Sequence, residues 1–396
     1  MPRLWSTLTA APHRATFLPG ALISVLAVAW WLADMESRRH GGGGLAPNAL
    51  PGPLLHGWLM LYGLFPFFIF GFLFTAMPNW LNGSKIARPS YAATALLMAT
   101  GTLLVFLSPP LGLALHLAGW ATGLAALLRT LVTAAPQDKR HAGIACAALG
   151  LGWLGDAALL AWLFGDLPDL LPWSTALGVW GFLTPLFLAV CHRMVPWFTS
   201  RVVPNYVVIR PYGALWAMLA ACLAHAGLTA TGHADLTWLA ALPLAAIALW
   251  FSSRWGIARS FKVRLLAMLH IAFVWAGIAF LLFAADSLAR FTGLAWSAGL
   301  APLHALGIGF FSTMLVGMAS RVSLGHSGRP LEADRATWWL FWLVQLAALT
   351  RMLPDLLPLP DALFTVAGIV WLLAFGAWAW KFAPTYWRPR IDGRPG

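Results

Sequence analysis

Acidic residues are scarce in this chain. Its 396 residues include 13 Asp and Glu, and with Lys and Arg added the charged fraction is still only 10%. Soluble domains carry about 25% charged residues, so a water-soluble fold, a disordered chain and a nucleic-acid binder are excluded first. Cysteine is nearly missing too. Cys146, Cys191 and Cys222 lie in apolar stretches without C-x-x-C spacing, which excludes a disulfide framework and a thiolate metal site. No polar stretch is long enough for a soluble domain, since the longest connections are 34–53 and 320–335. The abundant material is apolar: 60% of residues are hydrophobic, with 24 Trp. The sequence therefore reads as an all-α polytopic membrane protein, one transmembrane domain over residues 1–396.

A helix needs roughly 20 apolar residues to cross the hydrocarbon of a bilayer. Twelve such segments are expected, at about 17–33, 54–77, 91–108, 110–134, 142–164, 174–195, 211–231, 235–253, 261–285, 295–319, 336–353 and 361–381. The first lacks an A-x-A cleavage site and reads as a retained helix rather than a signal peptide. With both termini inside, 21 of the 25 Lys and Arg fall on the cytoplasmic side; only Arg38, Arg39, Arg290 and Arg351 fall outside. That bias follows the positive-inside rule. The net charge of +12 is then a signal of topology and of contact with anionic lipid, not of nucleic acid. Tryptophans at segment ends (Trp30, Trp31, Trp173, Trp197, Trp387) suit interfacial anchors. The second, sixth and tenth segments end alike, in Ala76-Met-Pro-Asn-Trp80, Arg193-Met-Val-Pro-Trp197 and Gly317-Met-Ala-Ser-Arg321. Such a period suggests three arcs of four helices.

Ionisable groups inside hydrocarbon are costly and point to function. Those within segments are His56, His116, Asp156, His192, His225, His270 and His304. Two neutral imidazoles on neighbouring helices at one depth can hold heme iron from both faces. The plainer reading of each is a hydrogen-bonded packing residue, with Asp156 paired to a serine, a histidine or a backbone group. Composition and spacing leave heme protein and transporter both open.

The motifs add a resemblance. His56-Gly-Trp-Leu-Met60-Leu-Tyr-Gly63 with Gly71-Phe-Leu-Phe-Thr-Ala-Met-Pro-Asn-Trp80 resembles the opening of the NnrS family. Leu269-His270-Ile-Ala-Phe-Val-Trp275, Pro302-Leu-His304-Ala-Leu-Gly-Ile-Gly309, Val195-Pro-Trp-Phe-Thr199 and Met318-Ala-Ser-Arg321-Val-Ser-Leu-Gly-His326-Ser-Gly-Arg329-Pro330 resemble it as well, in order along nearly the whole chain. The resemblance implies a bacterial inner-membrane protein that carries heme and copper and takes part in denitrification and the response to nitric oxide. It further implies a heme b between the second and tenth helices, with His56 and His304 as iron ligands and His270 as an alternative heme or copper ligand. One departure bears on copper: Trp58 and Leu59 stand where the family's H-x-H-E-M pattern has His and Glu. The second segment is also similar, more faintly, to the second helix of heme-copper oxidase catalytic subunits. The sixth and seventh segments lack that family's copper-site histidines, which argues against an oxygen-reducing pump.

Expected partners are membrane lipids, with nitric oxide or a redox protein. Whether the chain is an enzyme stays open. A permease remains as an alternative, in which Pro66, Pro78, Pro185 and Pro196 break helices around a substrate path. So does an assembly partner of a respiratory complex. The run after the tenth segment suggests a separate inner-face site for an anion or a metal, using His192 and His326 beside Arg321 and Arg329.

Overall fold

The computed structural model describes all residues except 1, 48, 136, 137, 166 and 394–396. Arg394, one of the basic residues in the charge bias, lies outside the described residues, as does the side chain of Arg3. Regular structure is helical throughout, with no strand among the described residues. Twelve long helices coincide with the twelve expected segments: α1 (Pro12–Arg39), α2 (Gly52–Trp80), α3 (Arg88–Leu104), α4 (Pro109–Thr133), α5 (Arg140–Phe164), α6 (Leu170–Val202), α7 (Tyr212–Ala230), α8 (Trp238–Arg254), α9 (Arg264–Thr292), α10 (Ala301–His326), α11 (Arg335–Leu356) and α12 (Ala362–Phe382). Ten are long and apolar enough to cross a membrane. The other two are α3, which has 17 residues, and α11, whose hydropathy is lowered by Trp338, Trp339, Trp342, Gln345 and Arg351. The chain is a polytopic helical membrane protein.

Local chemistry sets the helix ends. Proline occupies the first turn of α1, α2, α3, α4 and α10, where its missing N–H has no partner to lose. Asp334 caps α11 by accepting from the Thr337 amide at 2.9 Å. Gly293, at φ 70°, ends α9 in the left-handed conformation.

Two ends run further than hydropathy alone suggests. The first segment, expected over 17–33, continues to Arg39 because its charges are internally satisfied. Buried Asp34 pairs with Arg38 at 2.8 Å and accepts the Leu45 amide at 2.6 Å, which also folds the following glycine-rich loop back onto the helix. The tenth segment, expected to stop at 319, stays helical to His326; the turn comes only at Gly328, with φ +77°. Residues 320–326 are therefore helix and not loop.

The period-four echo has a structural counterpart. α2, α6 and α10 each contain a π-helical segment near the same end: Leu59–Leu64, Leu177–Leu183 and Ala305–Ser312. Such segments are rare and frequent at functional sites. In α10 the hydroxyls of Ser312 and Thr313 donate to the carbonyls of Gly307 and Ile308, five residues back, at 2.8 and 3.2 Å. These three helices are also interior. Buried residues make up 72%, 83% and 72% of their apolar windows, as they do 72% of α9, against 33–50% in the other spans.

The chain forms two compact units. Unit 1 contains residues 1–182, 322–330 and 375–396. Its core is aromatic, with Trp58, Tyr62, Phe70, Phe74, Trp120 and Trp378 almost fully buried. Unit 2 contains 183–321 and 331–374, centred on α9, with Phe187, Phe273, Phe310 and Phe311 in ring contact.

Candidate functional site

Unit 1 holds a buried polar triad. Trp58 is the last residue of α2 before the π segment, so its indole is set into the core at the change of helical pitch. Its Nε1–H donates to Asp156 Oδ1 at 2.7 Å. The other oxygen, Oδ2, lies 2.8 Å from His116 Nδ1, and neither side chain of this pair reaches solvent. One of these partners, His116, is of an expected type; the other, the Trp58 indole, is not among the serine, histidine or backbone groups expected. His116 Nε2 is buried and has no hydrogen-bond partner among the described residues. Below the triad, the Tyr62 hydroxyl donates to the Ser174 carbonyl at 2.6 Å.

His56 also belongs to unit 1, three residues before the π segment of α2. Its ring stacks on Trp31 at 4.3 Å with 13° between planes, and the Arg38 guanidinium covers Trp31 at 5.1 Å.

His192, His225, His270 and His304 lie in unit 2. His304 immediately precedes the π segment of α10, half-buried, and its Nδ1 lies 2.9 Å from the Leu300 carbonyl. A carbonyl can only accept, so Nδ1 carries the proton and Nε2 of the neutral ring keeps its lone pair. That is the tautomer of a metal-ligating histidine. His270 is held the other way. Its Nε2 lies 3.0 Å from Thr199 Oγ1, whose own proton goes to the Val195 carbonyl at 2.8 Å. Nε2 is then the donor, and only Nδ1 is left with a lone pair. His192 Nε2 donates to the Pro211 carbonyl at 3.3 Å, and His225 Nδ1 meets the Thr229 hydroxyl at 3.1 Å.

The expected inner-face pair, His192 and His326, does not come together within either unit. His192 belongs to unit 2 and His326 to unit 1. Arg321 covers the Phe198 ring at 4.0 Å in unit 2. The imidazole beside His326 is His13, at 4.5 Å between ring centroids. Sequence reasoning missed His13 because it precedes the expected start of the first segment. The available signal was Pro12 followed by two basic residues, a proline-led helix start.

Which cofactors suit these donors differs by metal. A b-type heme needs one or two imidazole nitrogens, and His304 Nε2 has the required lone pair. Copper held by protein side chains alone needs several donors. The described residues assemble no group of three or more His, Cys, Asp or Glu for it. Trp58, standing where the family pattern has His, offers no lone pair and has its N–H committed to Asp156.

Taken together, fold and site define a polytopic helical membrane protein whose interior helices carry imidazoles beside π segments. The NnrS protein family model matches residues 7–390, and the chain belongs to the NnrS family. A comparison with curated proteins finds no match.

Proposed function

We propose that this NnrS-family chain binds a b-type heme, which His56 and His304 would hold. It would serve the response to nitric oxide and denitrification from the bacterial inner membrane. The observation that carries the reading is the His304 tautomer: the Leu300 carbonyl fixes the proton on Nδ1, so that the lone pair of the neutral ring is on Nε2. His56 and His304 each lie just before the π segment of their own helix. Their pairing across the two units rests on the sequence motifs. His270 ranks third, since its Nε2 is the donor to Thr199.

When bound, the heme supplies a redox-active iron that can also take nitric oxide. The chain's own residues orient and exclude. The Leu300 carbonyl holds the His304 ring, Trp31 holds the His56 ring, and Phe310 and Phe311 keep the start of α10 apolar.

The permease alternative called for helices broken at Pro66, Pro78, Pro185 and Pro196. The chain stays helical through all four, so that alternative lacks the broken helices it would use.

Reduced-minus-oxidised spectra of purified protein, with and without nitric oxide, test the proposal. A b-type Soret band that is lost or shifted in His304→Ala and in His56→Ala is expected. His326→Ala should leave the band unchanged. No Soret band after heme-replete expression would refute the reading. A nitric oxide shift in the unaltered protein marks an open iron position; its absence marks six-coordinate iron suited to electron transfer or sensing.

A further inference from the structure

The first turn of α1 carries a cluster of basic side chains that the heme reading does not use. His13 and Arg14 are both only 2% exposed, although they lie at the very start of the helix. No side chain caps this end of α1, and its first turn has no acidic residue. Three chain segments of unit 1 meet there. His326, at the end of α10, places its ring 4.5 Å from that of His13. The C-terminal segment contributes Tyr386, 6.5 Å from His13 ring to ring, and Arg390, which donates to the His326 carbonyl at 3.2 Å.

The charges do not balance. Arg14 gives one hydrogen bond, from Nη1 to the Arg388 carbonyl at 2.9 Å, and has no carboxylate partner among the described residues. Its Nε is buried without an acceptor, and so is His13 Nδ1. Asp392, an acid at the cluster, is taken up by Arg390 through two contacts of 2.9 and 2.6 Å. A buried guanidinium left with unused donors is costly. The helix end adds its own partial positive charge. An anion with several acceptor oxygens is the kind of group that would take up these unused donors. Two adjacent imidazoles would also attract a metal ion, but the Arg14 guanidinium beside them opposes a cation.

We propose that His13, Arg14, His326 and Arg390 form an anion site at the start of α1 that takes a phosphate group. This site is independent of the heme. Phosphate could come from an anionic lipid headgroup or from a soluble phosphate, and the basic character of the expected cytoplasmic side favours neither.

The test uses the full-length protein in two arms. Thermal unfolding in detergent is followed while inorganic phosphate is titrated against equal ionic strength of chloride. Native mass spectrometry counts phosphatidylglycerol against phosphatidylcholine retained by the protein. We expect saturable, phosphate-specific binding in at least one arm, weakened about tenfold or more in Arg14→Gln. The arm that responds identifies the source. Arg14→Gln alone could fail to fold, so Arg390→Gln, which alters a half-buried side chain, and His13→Gln are measured beside it and should weaken binding several-fold. Equal binding by all four proteins in both arms would overturn the proposal. So would stoichiometric copper binding that requires His13 and His326 and excludes phosphate.

Discussion

Both units bury a tryptophan N–H against a side-chain acceptor, but the acceptors differ in charge. In unit 1, Trp58 donates to the carboxylate of Asp156, and His116 supplies the second bond. In unit 2, Trp275 donates to the neutral amide of Gln345 at 2.7 Å. That amide passes its own protons to Thr313 Oγ1 and the Phe341 carbonyl at 2.9 and 3.3 Å. The neutral network is closed, with both ends of the amide occupied. The charged one is open at His116 Nε2. Hydrocarbon tolerates either solution, but a carboxylate makes every partner more consequential, because removing a partner from a buried charged network costs far more than removing one from a neutral network.

Mutation can break this contrast. Asp156→Leu should have the largest effect, because it strands the Trp58 and His116 donors together. A loss of about 3–5 kcal/mol is expected, the range for breaking a buried pair, and reversible unfolding in mixed micelles would measure it. A loss below about 1 kcal/mol, within the range of exposed ion pairs, would mean that the network contributes little. Gln345→Leu should cost less, about 1–3 kcal/mol, since it strands the Trp275 N–H but no charge. If Gln345→Leu proved as damaging as Asp156→Leu, charge would not be what separates the two units. Thr199→Val should be the mildest, near 1 kcal/mol, the value of a single neutral hydrogen bond. It also releases His270 Nε2, so a heme spectrum that shifts in this variant would raise His270 above its present rank.

Much of the fold was legible in the sequence. Runs of apolar residues located all twelve helices, because in a bilayer the backbone must satisfy its own hydrogen bonds and hydropathy reports little else. The second, sixth and tenth segments share similar endings in sequence, and each also carries a π segment near its other end. Those π segments themselves have no residue signature; Leu59–Leu64 reads like any apolar helix. Helix ends were less legible where charges are paired internally, as at Asp34 and Arg38. Among the site residues, types and depths were readable but partners were not. The contact of His116 with Asp156 spans 40 residues and that of Trp58 with Asp156 spans 98, and no local pattern encodes either. Arg14 illustrates the opposite error. It reads as a topology charge at the membrane surface, yet its side chain is buried against the C-terminal segment.

The central claim is that the chain carries heme through His304. Heme content per polypeptide, determined by pyridine hemochrome on purified full-length protein and on His304→Ala prepared in parallel, tests it most directly. The account predicts one b-type heme in the unaltered chain and a loss or a changed spectrum in the variant, with helix content the same in both. Equal heme content and identical spectra in the two proteins would contradict it.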